Sequence, residues 1–173
     1  LEMVKDNMKK EKTIMTREIP EYTKGEEIFN MVSHIVGGAV GITAAVLCII
    51  VSAFHNNAYA VVSSAIFGAS MIFLYTMSSI YHGLNKRLNA KWVFRIMDHC
   101  TIFVLIAGTY TPIALCTIRE ANTVLGWVIF GIVWGMAALG IVLNAVNMQK
   151  FKIFSMICYL AMGWCVIGTW KTL

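Results

Sequence analysis

The chain has 173 residues, of which 58% are hydrophobic and only 13% are charged. A soluble domain would be about half apolar and about a quarter charged. No Asp, Glu, Lys or Arg occurs between Glu27 and Lys86. A soluble domain does not contain so long a stretch without a charged residue. This composition excludes a disordered chain, a disulfide scaffold and a cytosolic enzyme domain. It predicts a polytopic membrane protein.

In chain order, a polar arm over residues 1–27 is followed by five apolar runs. Each run has at least the roughly 20 residues that a helix needs to cross the hydrocarbon core of a bilayer. Continuous apolar runs favour helices, because barrel strands would alternate apolar and polar residues. The predicted fold is therefore all-α, with a helical bundle over 28–173. Its helices are expected at about 28–54, 58–84, 93–118, 122–146 and 151–170.

The basic residues that give the net charge of +5 are confined to the arm and the loops. They form no single patch, so a nucleic-acid partner is not predicted. Cytoplasmic loops carry an excess of Lys and Arg. A cytoplasmic N-terminus puts twelve of the fourteen Lys and Arg residues on the cytoplasmic side, and the opposite orientation puts those twelve outside. The sequence predicts a cytoplasmic N-terminus.

Polar residues inside the apolar runs are costly in lipid and are therefore informative. Glu27, Asn30 and His34 are spaced by three and four residues, which puts them on one helix face. They either form a functional site or link helices by hydrogen bonds near the membrane boundary. Ser78 and His82 share a face of the second helix in the same way, and a lone His there is also a common membrane anchor.

Asp98 is the only carboxylate between Glu27 and Glu120. Arg95, three residues earlier, offers a local ion pair, and this is the simplest account of Asp98. The predicted topology nevertheless brings His34, His82 and Asp98 to similar depths near the cytoplasmic face. Imidazole and carboxylate are ligands that suit Zn²⁺, which activates a bound water. Zinc is the cofactor that this layer predicts, with Ser78 available as a hydroxyl donor.

The sequence resembles the hemolysin III family, the bacterial branch of the progestin and adipoQ receptor proteins. Five stretches carry the resemblance and extend from residue 26 to about 165. They are Glu27–His34, Ser78–Gly83, Asp98–Ile102, Ala107–Pro112 and Tyr159–Trp164.

The resemblance implies a seven-helix bundle in the bacterial plasma membrane, with zinc near the cytoplasmic face. By analogy, His82 would be a metal ligand, Asp98 would hold or activate the metal-bound water, and Ser78 would line the site. Glu27, Asn30 and His34 would support these residues rather than bind the metal. His99 has no ligand role in that pattern.

The chain departs from the family pattern at its C-terminal end. The family's remaining two zinc ligands come from a His-x-x-x-His motif on the seventh helix, and this sequence contains no such motif. Since a catalytic zinc site usually has three protein ligands, the zinc prediction is incomplete as it stands. We expect that the last two helices are missing from this sequence.

Three functions remain open. The first is a zinc-dependent hydrolase with Asp98 and Ser78 as catalytic residues and a lipid amide or ester as substrate. The second is a non-enzymatic receptor or sensor of membrane lipid in which the metal is structural. The third is a cytolytic pore, which the scarcity of charges within the helices disfavours. Membrane lipid is the expected partner in the first two, and no oligomeric state is predicted.

Overall fold

A computed structural model describes residues 20–165 and residue 167. Among these residues we number five helices. They are α1 (Lys24–Phe54), α2 (Ala58–Gly83), α3 (Asn89–Pro112), α4 (Thr123–Asn147) and α5 (Lys152–Trp164). The third span does not stop at Pro112: it continues through a π-helical segment, Ile113–Ile118, and a last α-helical turn, Arg119–Ala121. The predicted all-α fold is confirmed.

Three helix starts are fixed by side-chain caps. Thr23 and Glu26 form a capping box, in which the Glu26 amide donates to Thr23 Oγ1 and the Thr23 amide donates to Glu26 Oε2. Asn57 accepts a hydrogen bond from the Ala60 amide, and Asn122 accepts one from the Leu125 amide. The box starts α1 at Lys24, so the predicted boundary of the arm at 27 is four residues too late. Residues 1–19 of that arm lie outside the described residues.

Four spans are long and apolar enough to cross a membrane: α1, α2, the third span to Ala121, and α4. The fifth predicted span, 151–170, corresponds to α5, an apolar helix for which 13 residues are described. The rest of that predicted span extends beyond Trp164, largely outside the described residues. Consecutive spans run in opposite directions, so α1, α3 and α5 begin at the end where α2 and α4 finish. We call this the Glu27 end of the bundle.

The buried core lies around the third span. Half of the residues in its most apolar window are buried, compared with 11% in α1, whose apolar side chains face outward. The Tyr75 ring of α2 packs closely against α1 at Gly37, where an added Cβ would lie 2.8 Å from Cε1 of Tyr75. The central helix α3 contacts both α2 and α4. The core side chains on the third span, α4 and α5 include Phe103, Ala107, Tyr110, Ile118, Val133, Ala137 and Met162.

Candidate functional site

Three helices meet at Glu27, a carboxylate near the start of α1 that is 9% exposed. Its Oε2 atom accepts a hydrogen bond of 2.7 Å from Nδ1 of His82, near the end of α2. Because an ionised carboxylate only accepts, Nδ1 carries the proton. In the neutral ring the other nitrogen, Nε2, is then left as the acceptor and ligand atom.

Lys91 holds the other oxygen of Glu27. Its Nζ atom donates to Glu27 Oε1 over 2.7 Å and to the Leu84 carbonyl over 2.9 Å, and it lies 5.1 Å from the centre of the Tyr81 ring. The Lys91 side chain is only 1% exposed. The sequence interpretation placed Lys91 in a loop and did not include it in the site. That was wrong, because α3 begins at Asn89 rather than at 93 and carries Lys91 into the bundle.

His34 lies beside this network and completes a histidine pair. Its ring centre is 5.9 Å from that of His82 and 5.9 Å from that of Tyr75. The Nδ1 atom of His34 is buried and has no hydrogen-bond partner among the described residues. The ring contacts therefore bring His34 and His82 together. That Asp98 lies beside these two histidines stays a prediction.

The other predicted site residues lie within a turn or two of this group. Ser78 is buried, at 2% exposure, one turn before His82 on α2. Asn30 is partly exposed on α1, one turn before His34. The Asp98 carboxylate lies 3.9 Å from Nδ1 of His99, which is instead hydrogen-bonded to the Arg95 carbonyl at 2.9 Å. The His99 ring is therefore held by the backbone of its own helix, α3.

A second polar group joins α3 to α4 and α5, and the sequence interpretation missed it. Asn144 is 1% exposed, and its Oδ1 atom accepts a hydrogen bond of 2.7 Å from Ser155. Nδ2 of Asn144 has no partner among the described residues. Tyr159, one turn after Ser155, donates to the His99 carbonyl over 2.9 Å. The available signal was an Asn inside an apolar run, with Ser and Tyr four residues apart on the next helix.

Comparison with known proteins identifies the family. The sequence profile described as "Haemolysin-III related" matches residues 22–173. The chain is 38% identical over 159 residues to Hemolysin-3 of Bacillus cereus, a match that covers 92% of this chain and 70% of that protein. It is 39% identical over 152 residues to a Hemolysin-3 homolog of Bacillus subtilis (strain 168), covering 88% of this chain and 70% of the relative. The chain belongs to the Haemolysin-III related family.

Membership in the Haemolysin-III related family confirms the resemblance drawn from the sequence motifs. With the apolar spans, it identifies an integral membrane protein of the bacterial plasma membrane. The predicted cytoplasmic position of the N-terminus stays a prediction. No solved structure resembles the chain significantly.

The donor atoms at the Glu27 end fit a zinc ion only in part. A metal-binding histidine commonly donates its second ring N–H to a carboxylate, and His82 has this arrangement with Glu27. His34 adds a buried ring nitrogen without a partner. Within residues 20–165 and 167, however, no three His, Cys, Asp or Glu side chains converge as a ligand set. The described residues alone therefore do not form a complete zinc site.

Proposed function

We propose that this Haemolysin-III related protein binds a metal ion through His82 at the Glu27 end and hydrolyses a lipid amide or ester there. The hydrogen bond from His82 to Glu27 is the observation that carries the proposal. It fixes the ring orientation and leaves Nε2 as the ligand atom. Lys91 donates to the other oxygen of Glu27 and holds the carboxylate in place, so it does not turn toward the metal itself.

The remaining residues supply the chemistry expected of a hydrolase. A metal ion held by His82 would supply Lewis-acid polarisation of the lipid carbonyl. Asp98 acts as general base: it takes a proton from the water that adds to the carbonyl carbon. That proton then passes to the leaving amine or alcohol as the C–N or C–O bond breaks. Ser78 is buried one turn from His82 and donates its hydroxyl to the oxygen that becomes negatively charged.

Metal analysis tests the first half of this proposal. We expect the full-length protein, purified after zinc exposure, to retain zinc stoichiometrically. His82→Ala removes a ligand and should abolish that retention. Glu27→Gln keeps the volume but weakens the orienting bond, and should lower zinc affinity about 10–100-fold. His99→Ala is the matched control, because the His99 ring is bonded to the Arg95 carbonyl. Stoichiometric zinc in the His82 variant would remove the proposed ligand.

Turnover on a panel of lipid amides and esters tests the second half. Asp98→Asn and Ser78→Ala should lower kcat while leaving the zinc content unchanged.

A non-enzymatic sensor is the second candidate. The observation that favours it is that Glu27, His82 and Lys91 bond to one another and link three helices, which is a structural role. Metal-bound protein that hydrolyses nothing in the panel, with altered membrane fluidity in a deletion strain, would favour the sensor.

A further inference from the structure

A cavity of about 480 Å³ opens at the Glu27 end, between the start of α1 and the short connection from α2 to α3. Ile28 and Met31 of α1 and Leu84 of the connection form its apolar wall. Lys24 and Lys86 line the polar side of the same cavity. The cavity thus combines cationic groups with apolar surface at a membrane boundary.

The side chains that line this cavity carry a net positive charge. Three lysines and one carboxylate line it, and Lys91 and Glu27 neutralise each other across 2.7 Å. Lys24 and Lys86 remain, and both are exposed. Lys86 donates one of its three protons to the Tyr22 carbonyl over 2.7 Å, which positions the ammonium group and leaves two protons for a ligand.

The nearby Glu26 only partly offsets this charge. Its carboxylate acts electrostatically on Lys86. Both the amide and the hydroxyl of Thr23 donate to its Oε2 atom, which engages Glu26 in the cap of α1. Glu26 also does not line the cavity. An anion entering the cavity therefore meets two lysines that no carboxylate of the lining neutralises.

We propose that this cavity binds the phosphate headgroup of an anionic membrane lipid, with Lys24 and Lys86 contacting the phosphate. Basic pockets between transmembrane helices are suited to such headgroups. The apolar wall argues for a lipid rather than a free anion. Ile28 is 49% exposed and leads to Val32, one turn further along the outer side of α1 and 47% exposed, so an acyl chain can follow that surface.

This binding needs neither a metal ion nor turnover. His82 also lines this cavity, so the lipid phosphate would lie beside the proposed metal ligand. The hydrogen bonds of the His82–Glu27 pair involve Lys91 and not Lys24 or Lys86, so replacing these two lysines should leave zinc retention unchanged. A failure of lipid binding and a failure of the proposed hydrolase are therefore separate results, read from lipid retention in one case and from zinc content and turnover in the other.

Native mass spectrometry of the full-length protein tests the proposal. The detergent-solubilised protein is equilibrated with equal amounts of phosphatidylglycerol and phosphatidylcholine, and we expect selective retention of phosphatidylglycerol. Each lysine near a membrane surface contributes about five-fold to the attraction of an anionic lipid. Lys24→Gln with Lys86→Gln should therefore reduce the selectivity about 25-fold. Lys24→Arg with Lys86→Arg should keep it.

Lys152→Gln is the matched control, because Lys152 is an exposed lysine at the same end of the bundle. Its selectivity should equal that of the unmodified protein. Equal retention of the two lipids by the unmodified protein would overturn the proposal, as would an equal loss in the Lys152 variant. Inorganic phosphate that displaces the lipid at matched concentration would show a free-anion site and would overturn the lipid assignment.

Discussion

Two polar groups near the Glu27 end connect α3 to its neighbours, and they differ in charge. The first joins α3 to α1 and α2 through a carboxylate, an imidazole and an ammonium group. The second joins α3 to α4 and α5 through an amide and two hydroxyl groups, with no ionised member. In the first group each oxygen of Glu27 has a cationic or N–H partner, whereas the second leaves Nδ2 of Asn144 unpartnered among the described residues.

The difference shows what each kind of contact can do inside a membrane protein. A buried charge demands a partner, so the first group fixes the relative positions of three helices. Neutral hydrogen bonds between transmembrane helices contribute only about 0.6 kcal/mol each on average. The second group therefore adds little stability. We therefore expect substitutions in the first group to lower the free energy of unfolding clearly more than substitutions in the second group.

The largest effect should follow from Lys91→Met. It leaves the buried Glu27 carboxylate with the N–H of His82 as its remaining hydrogen-bond partner among the described residues, and should lower the free energy of unfolding by about 3 kcal/mol or more. Denaturation of the purified protein in detergent measures this change. Lys152→Met, at an exposed lysine, should stay within about 0.5 kcal/mol of the unmodified protein.

Adding Glu27→Gln to Lys91→Met should restore part of the lost stability, because no unpaired carboxylate remains. Equal stability of the Lys91 and Lys152 variants would show that the ion pair does not hold the helices together.

The sequence identified part of the first group because its members violate the apolar pattern. Its members Glu27 and His82, like the neighbouring His34, are ionisable residues within or beside apolar runs, and the spacing of Glu27 and His34 puts them on one face. Lys91 was missed because its charge resembles that of its neighbours in the connection. A buried carboxylate needs a cation, but choosing Lys91 over Lys86 or Arg87 requires the start of α3 at Asn89, and Leu88 provides no side-chain cap to mark it.

The second group was missed for a different reason. Asn144, Ser155 and Tyr159 carry no charge, and residues of their types also occur at packing positions. Which of them pair depends on how α4 and α5 lie against α3, and that is a property of tertiary packing. The number and order of the helices, by contrast, follow from hydrophobic length alone, which is why the fold was predictable.

A smaller effect should follow from Ser155→Ala, which removes the donor to the buried Asn144 oxygen. We expect a loss of about 1 kcal/mol in the same unfolding measurement, because the amide is left without this bond. Asn144→Leu combined with Ser155→Ala removes both polar partners and should be no less stable than the single variant. A single variant as stable as the unmodified protein would contradict this account of the second group.

The smallest effect should follow from Tyr159→Phe. The ring keeps its packing on Phe103, with ring centres 4.4 Å apart. The hydrogen bond from the hydroxyl to the His99 carbonyl is lost, together with the interaction of that hydroxyl with the Asn144 side chain. The expected cost is about 0.6 kcal/mol. Tyr59→Phe, which retains the ring that Arg119 covers at 3.6 Å, is the control and should change stability less. A loss as large as that of Lys91→Met would erase the distinction between the two groups.

The π-helical segment after Pro112 interrupts the regular α-helical spacing of the third span. Each π-type bond reaches back five residues rather than four, so the segment holds an additional residue relative to an α-helix. Before the segment, Lys91 of α3 donates a hydrogen bond to Glu27. After the segment, the Arg119 guanidinium group lies over the Tyr59 ring. The additional residue therefore changes the helix face on which Arg119 lies, relative to the face that an uninterrupted α-helix through Asp98 would give it.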